Sequence, residues 1–336
     1  MPTPSAPKKP LPRSSSCALT HPSSRALTRP SSRALTRRAF AALTVAATAL
    51  PALPKRTQAA DKMMTRAIPS TGESLPVIGL GTSSSFIVDK SDTEAMAQRK
   101  AVIQTLLETG GSLIDTAPSY RGSEGIVGDL VKELDVRENA FLATKVRVED
   151  EQKGLEELNA SFDLLHSDSI DLIQVHNLVD TDRKLGTMRE WREDGRYRYI
   201  GITHWRPDAQ EALGPVMEKQ SVDFCQFQYN IEERSAENRL LPMAAELGVA
   251  TLINVPFGRG SLFEQTEGKD IPAWAAEFAS SWGQFYLKFI LSHPAVTCII
   301  PATSKPKHMA DNAGAGMGRL PDAKERQRMI DYVERI

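Results

Sequence analysis

Residues 112–146 read SLIDTAPSYRGSEGIVGDLVKELDVRENAFLATKV, and this stretch decides the fold. It opens and closes on apolar, β-rich runs, SLIDTA (112–117) and AFLATKV (140–146), with a longer segment between them. Short runs that are apolar on both faces are typical of buried strands. Strands of this kind that alternate with helical segments predict a parallel sheet covered by helices.

The same alternation continues on both sides of this stretch. Six further runs share the apolar, β-rich composition: PVIGLGT (76–82), IDLIQVH (170–176), YIGITHW (199–205), FCQFQYN (224–230), ATLINVP (250–256) and TCIIPAT (297–303). Eight βα units within about 250 residues fit a closed (β/α)8 barrel better than a doubly wound open sheet. No G-x-G-x-x-G motif follows the first run, which also counts against an open dinucleotide-binding sheet.

Segments with helical periodicity lie between the runs, for example residues 92–110, 150–167 and 235–248. The caps predicted for them are Asp92 and Ser235 at N-termini and Gly110 and Gly248 at C-termini. A short hairpin that turns at residues 70–72 is predicted before the barrel, and a final helix within residues 321–336 is predicted after it.

Charge is distributed very unevenly along the chain. Residues 1–59 hold ten of the 41 lysines and arginines and none of the 42 aspartates and glutamates. The rest of the chain therefore carries 31 basic and 42 acidic residues, and this negative balance counts against nucleic acid as a partner. No apolar run approaches the ~20 residues that cross a bilayer.

The three cysteines are too few for a disulfide framework, and their spacing does not suit a metal site. Cys225 and Cys298 lie in predicted strands, so we interpret them as buried thiols, with a reactive or disulfide-bonded role as the alternative. No metal site is predicted anywhere in the chain.

Residues 1–59 predict a basic leader rather than part of the folded domain, which is expected over residues 60–336. A seven-residue unit occurs three times, and its last copy runs into RRAF (37–40), a mildly apolar stretch and a small-residue sequence ending at Ala59. This order resembles a twin-arginine export signal cleaved near Ala59, which predicts a periplasmic protein. A disordered basic tail or a misplaced start codon on a cytoplasmic protein is the alternative.

Chemically reactive side chains occur where predicted strands end, at the face of such barrels that carries reactive residues. Asp115 and Tyr120 follow the second strand, Lys145 ends the third and His176 ends the fourth. Taken singly, they have ordinary alternatives: a helix cap, a packed aromatic, a lysine reaching solvent and a core histidine. Their joint order and spacing favour a single site.

These four residue types suit carbonyl reduction, in which a nicotinamide supplies hydride and the developing alkoxide needs a proton. Tyr120 is the predicted proton donor, because the ammonium of Lys145 lowers the pKa of a free phenol, about 10. Asp115 keeps that ammonium charged and oriented. A neutral imidazole at His176 is predicted to hold the carbonyl oxygen by a hydrogen bond.

From about Thr65 to its end, the chain resembles the aldo-keto reductases. The motifs that carry the resemblance are LPVIGLGT, LIDTAPSYRGSE, ATKV, DLIQVHN, RYIGITHW, FCQFQYN, VPFGRG and IPATSKPKHMADN. The pattern D-T-A-x-x-Y-x-x-S-E, here at 115–124, is specific for that family, and the lysine and histidine strands follow in the expected order. The resemblance implies a (β/α)8 barrel that uses a nicotinamide to reduce a carbonyl compound.

The resemblance also implies which residues hold the nicotinamide carboxamide. They are Thr203 and His204 at the end of the fifth strand and Gln226 on the sixth. The family usually has Ser-Asn at the first two positions; threonine supplies a similar hydroxyl, whereas the larger His204 departs from the pattern. Many members place a stacking aromatic at the seventh strand, where this chain has Asn254; either the stacking is lost or Phe257 substitutes for it.

After the seventh strand, the resemblance places a loop over the cofactor pyrophosphate, and this loop consists of Phe257, Gly258, Arg259 and Gly260. An ordinary βα turn is the alternative for the two glycines.

After the eighth strand, a predicted helix N-terminus offers free N–H groups to an anion. The residues matched to the adenosine 2′-phosphate are Ser304, Lys305 and Lys307, and those matched to the adenine are Asp311 and Asn312. The residues matched to the 2′-phosphate favour NADP(H), with NAD(H) as the alternative cofactor. Lys307 has a second interpretation, as a solvated surface lysine.

The predicted substrate is a small or mid-sized aldehyde or ketone, because no long C-terminal loop walls the pocket. Phe86 and Trp205 are hypothetical lining residues, with plain packing as the alternative. The chain is expected to be a monomer or weak oligomer, and an exported form would need a partner that recycles its cofactor.

Two other functions are alternatives. One is a nicotinamide-binding barrel that serves as a sensor or partner subunit with little turnover, for which the departures at His204 and Asn254 leave room. The other is a sugar or lactone enzyme without nicotinamide, against which Ser304, Lys305 and Lys307 argue. The presence of all four reactive residues favours the active reductase.

Overall fold

The computed structural model describes residues 62–336, so the predicted leader, its RRAF sequence and its cleavage site lie outside the described part of the chain. The described chain begins with the predicted hairpin. Strand β1 (Thr65–Ala67) pairs antiparallel with β2 (Ser74–Pro76), and Gly72 takes the positive φ of +77° that their turn requires.

Eight parallel strands form the predicted (β/α)8 barrel. They are β3 (Leu80–Gly81), β4 (Leu113–Asp115), β5 (Phe141–Val146), β6 (Ile170–His176), β7 (Tyr197–His204), β8 (Phe224–Gln228), β9 (Ala250–Asn254) and β10 (Cys298–Ile299). Each pairs with the next in chain order. Parallel bridges from Ile78 to Ile299 and from Gly81 to Ala302 join the first strand to the last, so the sheet closes.

Helices follow the strands around the outside. They are α1 (Thr93–Glu108), α2 (Ser123–Leu134), α3 (Glu151–Leu165), α4 (Thr181–Glu193), α5 (Leu213–Lys219), α6 (Leu240–Leu247), α7 (Ser261–Gln265), α8 (Trp282–Leu291), α9 (Pro306–Ala315) and α10 (Ala323–Val333). None of the helices in residues 62–336 has the length and apolar character that a bilayer crossing requires.

Most predicted helix caps are confirmed. Asp92 accepts a hydrogen bond from the Ala95 backbone, Gly248 is a left-handed C-cap, and Gly110 takes the left-handed conformation one residue beyond the C-cap of α1. Ser235 is the exception, since it begins a separate 3₁₀ turn while α6 begins at Leu240. A proline at position 242 explains this, because proline is tolerated only in the first turn of a helix.

Two apolar layers hold the barrel together. The inner layer fills the barrel with Leu113, Phe141, Leu172, Tyr199 and Phe224 among others, and the hairpin residues Ile68 and Leu75 belong to it. The outer layer packs the helices against the strands. The two cysteines in the barrel strands are fully buried free thiols, as predicted.

Candidate active site

The inward-facing positions of the strands explain how the predicted residues meet. Side chains on one face of a strand recur every second residue, so a position two or four residues beyond an interior apolar residue also points inward. Asp115 follows the interior Leu113 by two residues, and His176 follows Leu172 by four. The same spacing from interior residues places Lys145, Thr203, Gln226 and Asn254 at the carboxyl end of the barrel interior.

A buried ion pair lies at the centre of this end. Nζ of Lys145 donates to Oδ1 of Asp115 at 2.6 Å and to the carbonyl oxygen of Thr116 at 2.8 Å. Two amides occupy the other carboxylate oxygen, because Gln226 and Gln174 donate to Oδ2 at 2.8 and 3.2 Å. Both charged side chains are almost fully buried, so the pair needs these added hydrogen bonds to offset its desolvation.

Tyr120 lies beside the ion pair, in the loop between β4 and α2. The ammonium of Lys145 is 4.9 Å from the centroid of its ring. The rings of Tyr120 and His176 meet edge to face, with centroids 6.0 Å apart, and Ser119 Oγ lies 3.4 Å from Nδ1 of His176. All four predicted reactive residues therefore lie in one cluster.

The protonation states follow from burial and neighbouring charge. Burial has the largest single effect on the pKa of Lys145 and would lower it, but the charges of and hydrogen bonds to Asp115 and Tyr120 together outweigh burial, so the pKa is raised. Burial, followed by the charges of Lys145 and Arg147, lowers the pKa of His176 to about 3, so the imidazole is neutral, as predicted. Burial raises the pKa of Tyr120, and Lys145 opposes this only in part. The prediction that Lys145 lowers the pKa of the Tyr120 phenol below its ordinary value is therefore wrong, and the hydroxyl is protonated at neutral pH.

A cavity of about 790 Å³ opens above the cluster at the carboxyl end of the barrel. Asp115, Tyr120 and His176 line it, whereas Lys145 lies beneath its surface. The cavity has room for a ligand of drug or cofactor size.

The residues predicted to hold a carboxamide lie on one side of this cavity. The Thr203 hydroxyl and the Asn254 amide both donate to Oε1 of Gln226, each at 3.3 Å, and all three residues line the cavity. Phe257 also lines it, next to this group. His204 does not line the cavity, because neighbouring side chains on β7 point to opposite faces and Thr203 takes the inner one. Nδ1 of His204 accepts a hydrogen bond from the backbone N–H of residue 206.

The loop after β9 has an unusual backbone. Val255, Gly258, Arg259 and Gly260 all have positive φ, between +50° and +109°, which strains the β-branched Val255 in particular. The Arg259 guanidinium lies 4.3 Å from the centroid of the Trp205 ring. This cation–π contact joins the loop to the end of β7 at the cavity mouth.

The predicted nucleotide-binding residues after β10 lie at the N-terminus of α9. They are Ser304, Lys305 and Lys307, and both lysines are exposed. Asp311 instead binds the N-terminus of α8, because it accepts hydrogen bonds from Ser281 Oγ at 2.6 Å and Gln284 Nε2 at 2.9 Å. Asn312 is buried. The adenine contacts of these two residues remain predictions.

The two hypothetical substrate-lining residues have different environments. Trp205 lines the cavity with 38% of its surface exposed. The prediction for Phe86 is wrong. Phe86 is fully buried in the outer apolar layer, because the turn after β3 directs it away from the cavity. Ser83 and Ser84 of the same turn line the cavity instead.

Several polar residues of this site were not predicted from the sequence, namely Gln174, Ser119, Asn177 and Arg147. Two of them could have been predicted. Gln174 precedes His176 by two residues and Arg147 follows Lys145 by two, so each continues the strand face of a predicted site residue.

Comparisons with known proteins identify the family and agree with the fold. The model of the aldo/keto reductase family matches residues 77–329, so the chain belongs to that family. It is 31% identical to the aldo-keto reductase YhdN of Bacillus subtilis over 210 residues, which are 58% of this chain and 62% of that relative. It is 27% identical to the aldo-keto reductase str7 of Strobilurus tenacellus over 289 residues, 74% of this chain and 84% of that protein.

A solved structure shares the fold at lower identity. The aldo-keto reductase of Klebsiella pneumoniae in complex with NADPH superimposes with a TM-score of 0.68 at 19% identity. The match covers 81% of this chain and 95% of that one.

Proposed function

We propose that this protein reduces an aldehyde or ketone to an alcohol with hydride from NADPH, and that Tyr120 donates the proton. The observation that carries the proposal is the buried Asp115–Lys145 pair, 2.6 Å apart, beside a protonated phenol at the floor of a cavity. Among small-molecule reactions, reduction of a carbonyl needs this combination of proton donor, fixed positive charge and uncharged hydrogen-bond donor.

Each residue has one role in the proposed reaction. The hydroxyl of Tyr120 gives its proton to the developing alkoxide, and the ammonium of Lys145 stabilises the phenolate that is left. Asp115 fixes that ammonium. Neutral His176 orients the carbonyl oxygen through a ring N–H while Ser119 lies within reach of its other nitrogen.

The cavity residues fit a nicotinamide cofactor. Oδ1 of Asn254 is buried without a hydrogen-bond partner among residues 62–336, so it can accept a hydrogen bond from a carboxamide. Thr203 and Gln226 supply further polar atoms beside it. Bound NADPH would supply the hydride. Lys305 and Lys307 at the N-terminus of α9 favour the 2′-phosphate of NADP over NAD, and the Klebsiella relative is described with NADPH.

The test compares Tyr120→Phe with the wild type on NADPH and 4-nitrobenzaldehyde. We expect the variant to lose kcat by a factor on the order of 10² to 10⁴, the usual contribution of general acid catalysis, and to keep its affinity for NADPH. Tyr332→Phe on α10 is the matched control. Reduction at the wild-type rate by Tyr120→Phe would refute the mechanism. Tight NADPH binding by a wild type that reduces no aldehyde would favour the sensor or partner-subunit function instead.

We infer further that residues 1–59 act as a leader for twin-arginine export and that residues 60–336 form the barrel domain. Support comes from the RRAF sequence at 37–40 and the absence of acidic residues before Ala60. Export would place the protein in the periplasm, where it would need a partner that recycles its cofactor, and we propose a monomer or weak oligomer. A reporter fused behind residues 1–59 should be exported, and replacing both arginines with lysine should stop this. A reporter that stays in the cytoplasm would contradict the proposal.

A further inference from the structure

Two arginines line the cavity from opposite sides. Arg147 follows β5, and Arg259 lies in the loop after β9. In the closed ring of eight strands, β5 and β9 are four strands apart, which places them across the barrel from each other. The two charges therefore enter the cavity from opposite walls.

Arg259 lies on the side proposed for the cofactor. It belongs to the strained loop next to Phe257, and its guanidinium rests on Trp205. A charge at this position suits the pyrophosphate of a dinucleotide.

Arg147 has no comparable assignment. It comes two residues after Lys145, so it continues the inward-facing side of β5 above the buried ion pair. Its backbone N–H donates to Glu157 at 2.8 Å, but its guanidinium makes no hydrogen bond or ion pair with any residue between 62 and 336. It is near enough to His176 for its positive charge to contribute to the lowered pKa of that imidazole.

No negative charge in the cavity compensates Arg147. Asp115 is the one acidic residue that lines the cavity within the described chain, and Lys145 already neutralises it. Glu157, which accepts from the Arg147 backbone, does not line the cavity. Ser119 and Asn177, which line it with Arg147, are uncharged and polar, and Oδ1 of Asn177 is buried without a partner in residues 62–336. The substrate side of the cavity therefore has an unpaired guanidinium beside the residue that is to hold the carbonyl.

We propose that Arg147 binds an anionic group, a carboxylate or a phosphate, carried by the carbonyl substrate. The protein then prefers aldehydes and ketones that bear such a group over neutral ones of the same shape. The planar fork of a guanidinium matches both anions through paired N–H···O hydrogen bonds. This inference rests on the proposed reductase function, whose substrate class it specifies.

The experiment compares 4-carboxybenzaldehyde with its neutral isostere 4-formylbenzamide, and 4-formylphenyl phosphate distinguishes phosphate from carboxylate. For the wild type, we expect kcat/KM for an anionic aldehyde to exceed that for the amide by roughly 10- to 100-fold, the range of a charge-assisted hydrogen bond. Arg147→Gln should bring this ratio close to one, and Arg147→Lys should restore part of it. Arg206→Gln, which removes an equal charge outside the cavity lining, should keep the wild-type ratio.

Binding of the same aldehydes to the NADP⁺-loaded protein, measured by tryptophan fluorescence, provides a readout that needs no turnover. A wild-type ratio near one in both measurements, or an equal ratio in wild type and Arg147→Gln, would overturn the inference. If neither aldehyde is reduced but the anionic one binds more tightly only when Arg147 is present, the anion site stands and the proposed reduction fails. Arg147→Met is the second variant should the glutamine variant fail to fold.

Discussion

Gln226 donates a hydrogen bond of 2.8 Å to Oδ2 of Asp115, the carboxylate oxygen that Lys145 leaves free. Oε1 of the same glutamine accepts from Thr203 and Asn254. One amide thus connects the residues proposed for the cofactor to the ion pair proposed to support the proton donor. A change at this glutamine should therefore affect both cofactor binding and chemistry.

Replacing Gln226 with methionine should weaken NADPH binding about tenfold, because it removes the amide proposed to contact the cofactor. It should also lower kcat, because the hydrogen bond that Gln226 donates to the charged carboxylate of Asp115 contributes roughly 1.5–3 kcal/mol. Fluorescence titration gives the affinity and steady-state kinetics give kcat. Gln220→Met is the control, since Gln220 lies after α5 and bonds to Asp182 and Arg189 outside the barrel. An effect on affinity with no change in kcat would show that the two halves of the site are independent.

Asp115→Asn should lower the free energy of unfolding by about 3–5 kcal/mol, because it leaves the buried ammonium of Lys145 without its counter-charge. Urea denaturation measures the loss. Adding Lys145→Met to the same chain should recover part of it, since the double variant has no unpaired charge. The exposed pair of Lys90 and Asp129 provides the comparison, and Asp129→Asn should cost less than about 1 kcal/mol.

His176 should not titrate near neutral pH. Burial lowers its pKa to about 3, so the folded protein keeps the ring neutral while the unfolded chain protonates near 6.5. The stability that comes from the neutral ring is complete above about pH 6.5 and is lost as pH falls towards 3. NMR of the ring carbons, with His176→Gln to assign the signal, should show no titration from about pH 5 to about pH 8. A midpoint inside that range would contradict the proposed neutral hydrogen-bond donor.

Glu124 should make stability depend on pH in the opposite sense. It is 1% exposed, the Thr144 hydroxyl donates to its Oε1, and its Oε2 has no partner in residues 62–336. Burial raises its pKa to about 7, so the folded state favours the protonated form. The associated stability is complete below about pH 4.5, the unfolded pKa, and is lost as pH rises through about 7.

Glu124→Gln mimics the protonated carboxyl and should remove this dependence. At about pH 8 the variant should be more stable than the wild type, by at most roughly 3 kcal/mol, and near pH 5 the two should agree within about 1 kcal/mol. Thermal unfolding at both pH values tests this. Glu133→Gln, an exposed carboxylate on the same helix, should show no such crossover. Equal stability of Glu124→Gln and wild type at both pH values would contradict the prediction.

The sequence predicted the barrel well because eight apolar runs at strand spacing can bury both faces only in a closed or helix-covered parallel sheet. It also predicted the cluster of Asp115, Tyr120, Lys145 and His176, since strand ends converge in that fold. Phe86 could not be placed from the sequence, because the path of the turn after β3 decides whether it points to the cavity or the core. The raised pKa of Tyr120 was also missed, since it depends on the depth of burial rather than on which charges are neighbours.

The contact between Arg259 and Trp205 has an optical consequence. Of the four tryptophans, Trp205 is the one that lines the cavity; the residue is 38% exposed, and its ring lies against a guanidinium on a strained loop. Any ligand that moves this loop changes the polarity and the charge next to the indole. The protein therefore has its own fluorescent reporter at the entrance to the site, and Trp205→Phe should remove that signal without removing the emission of the other three.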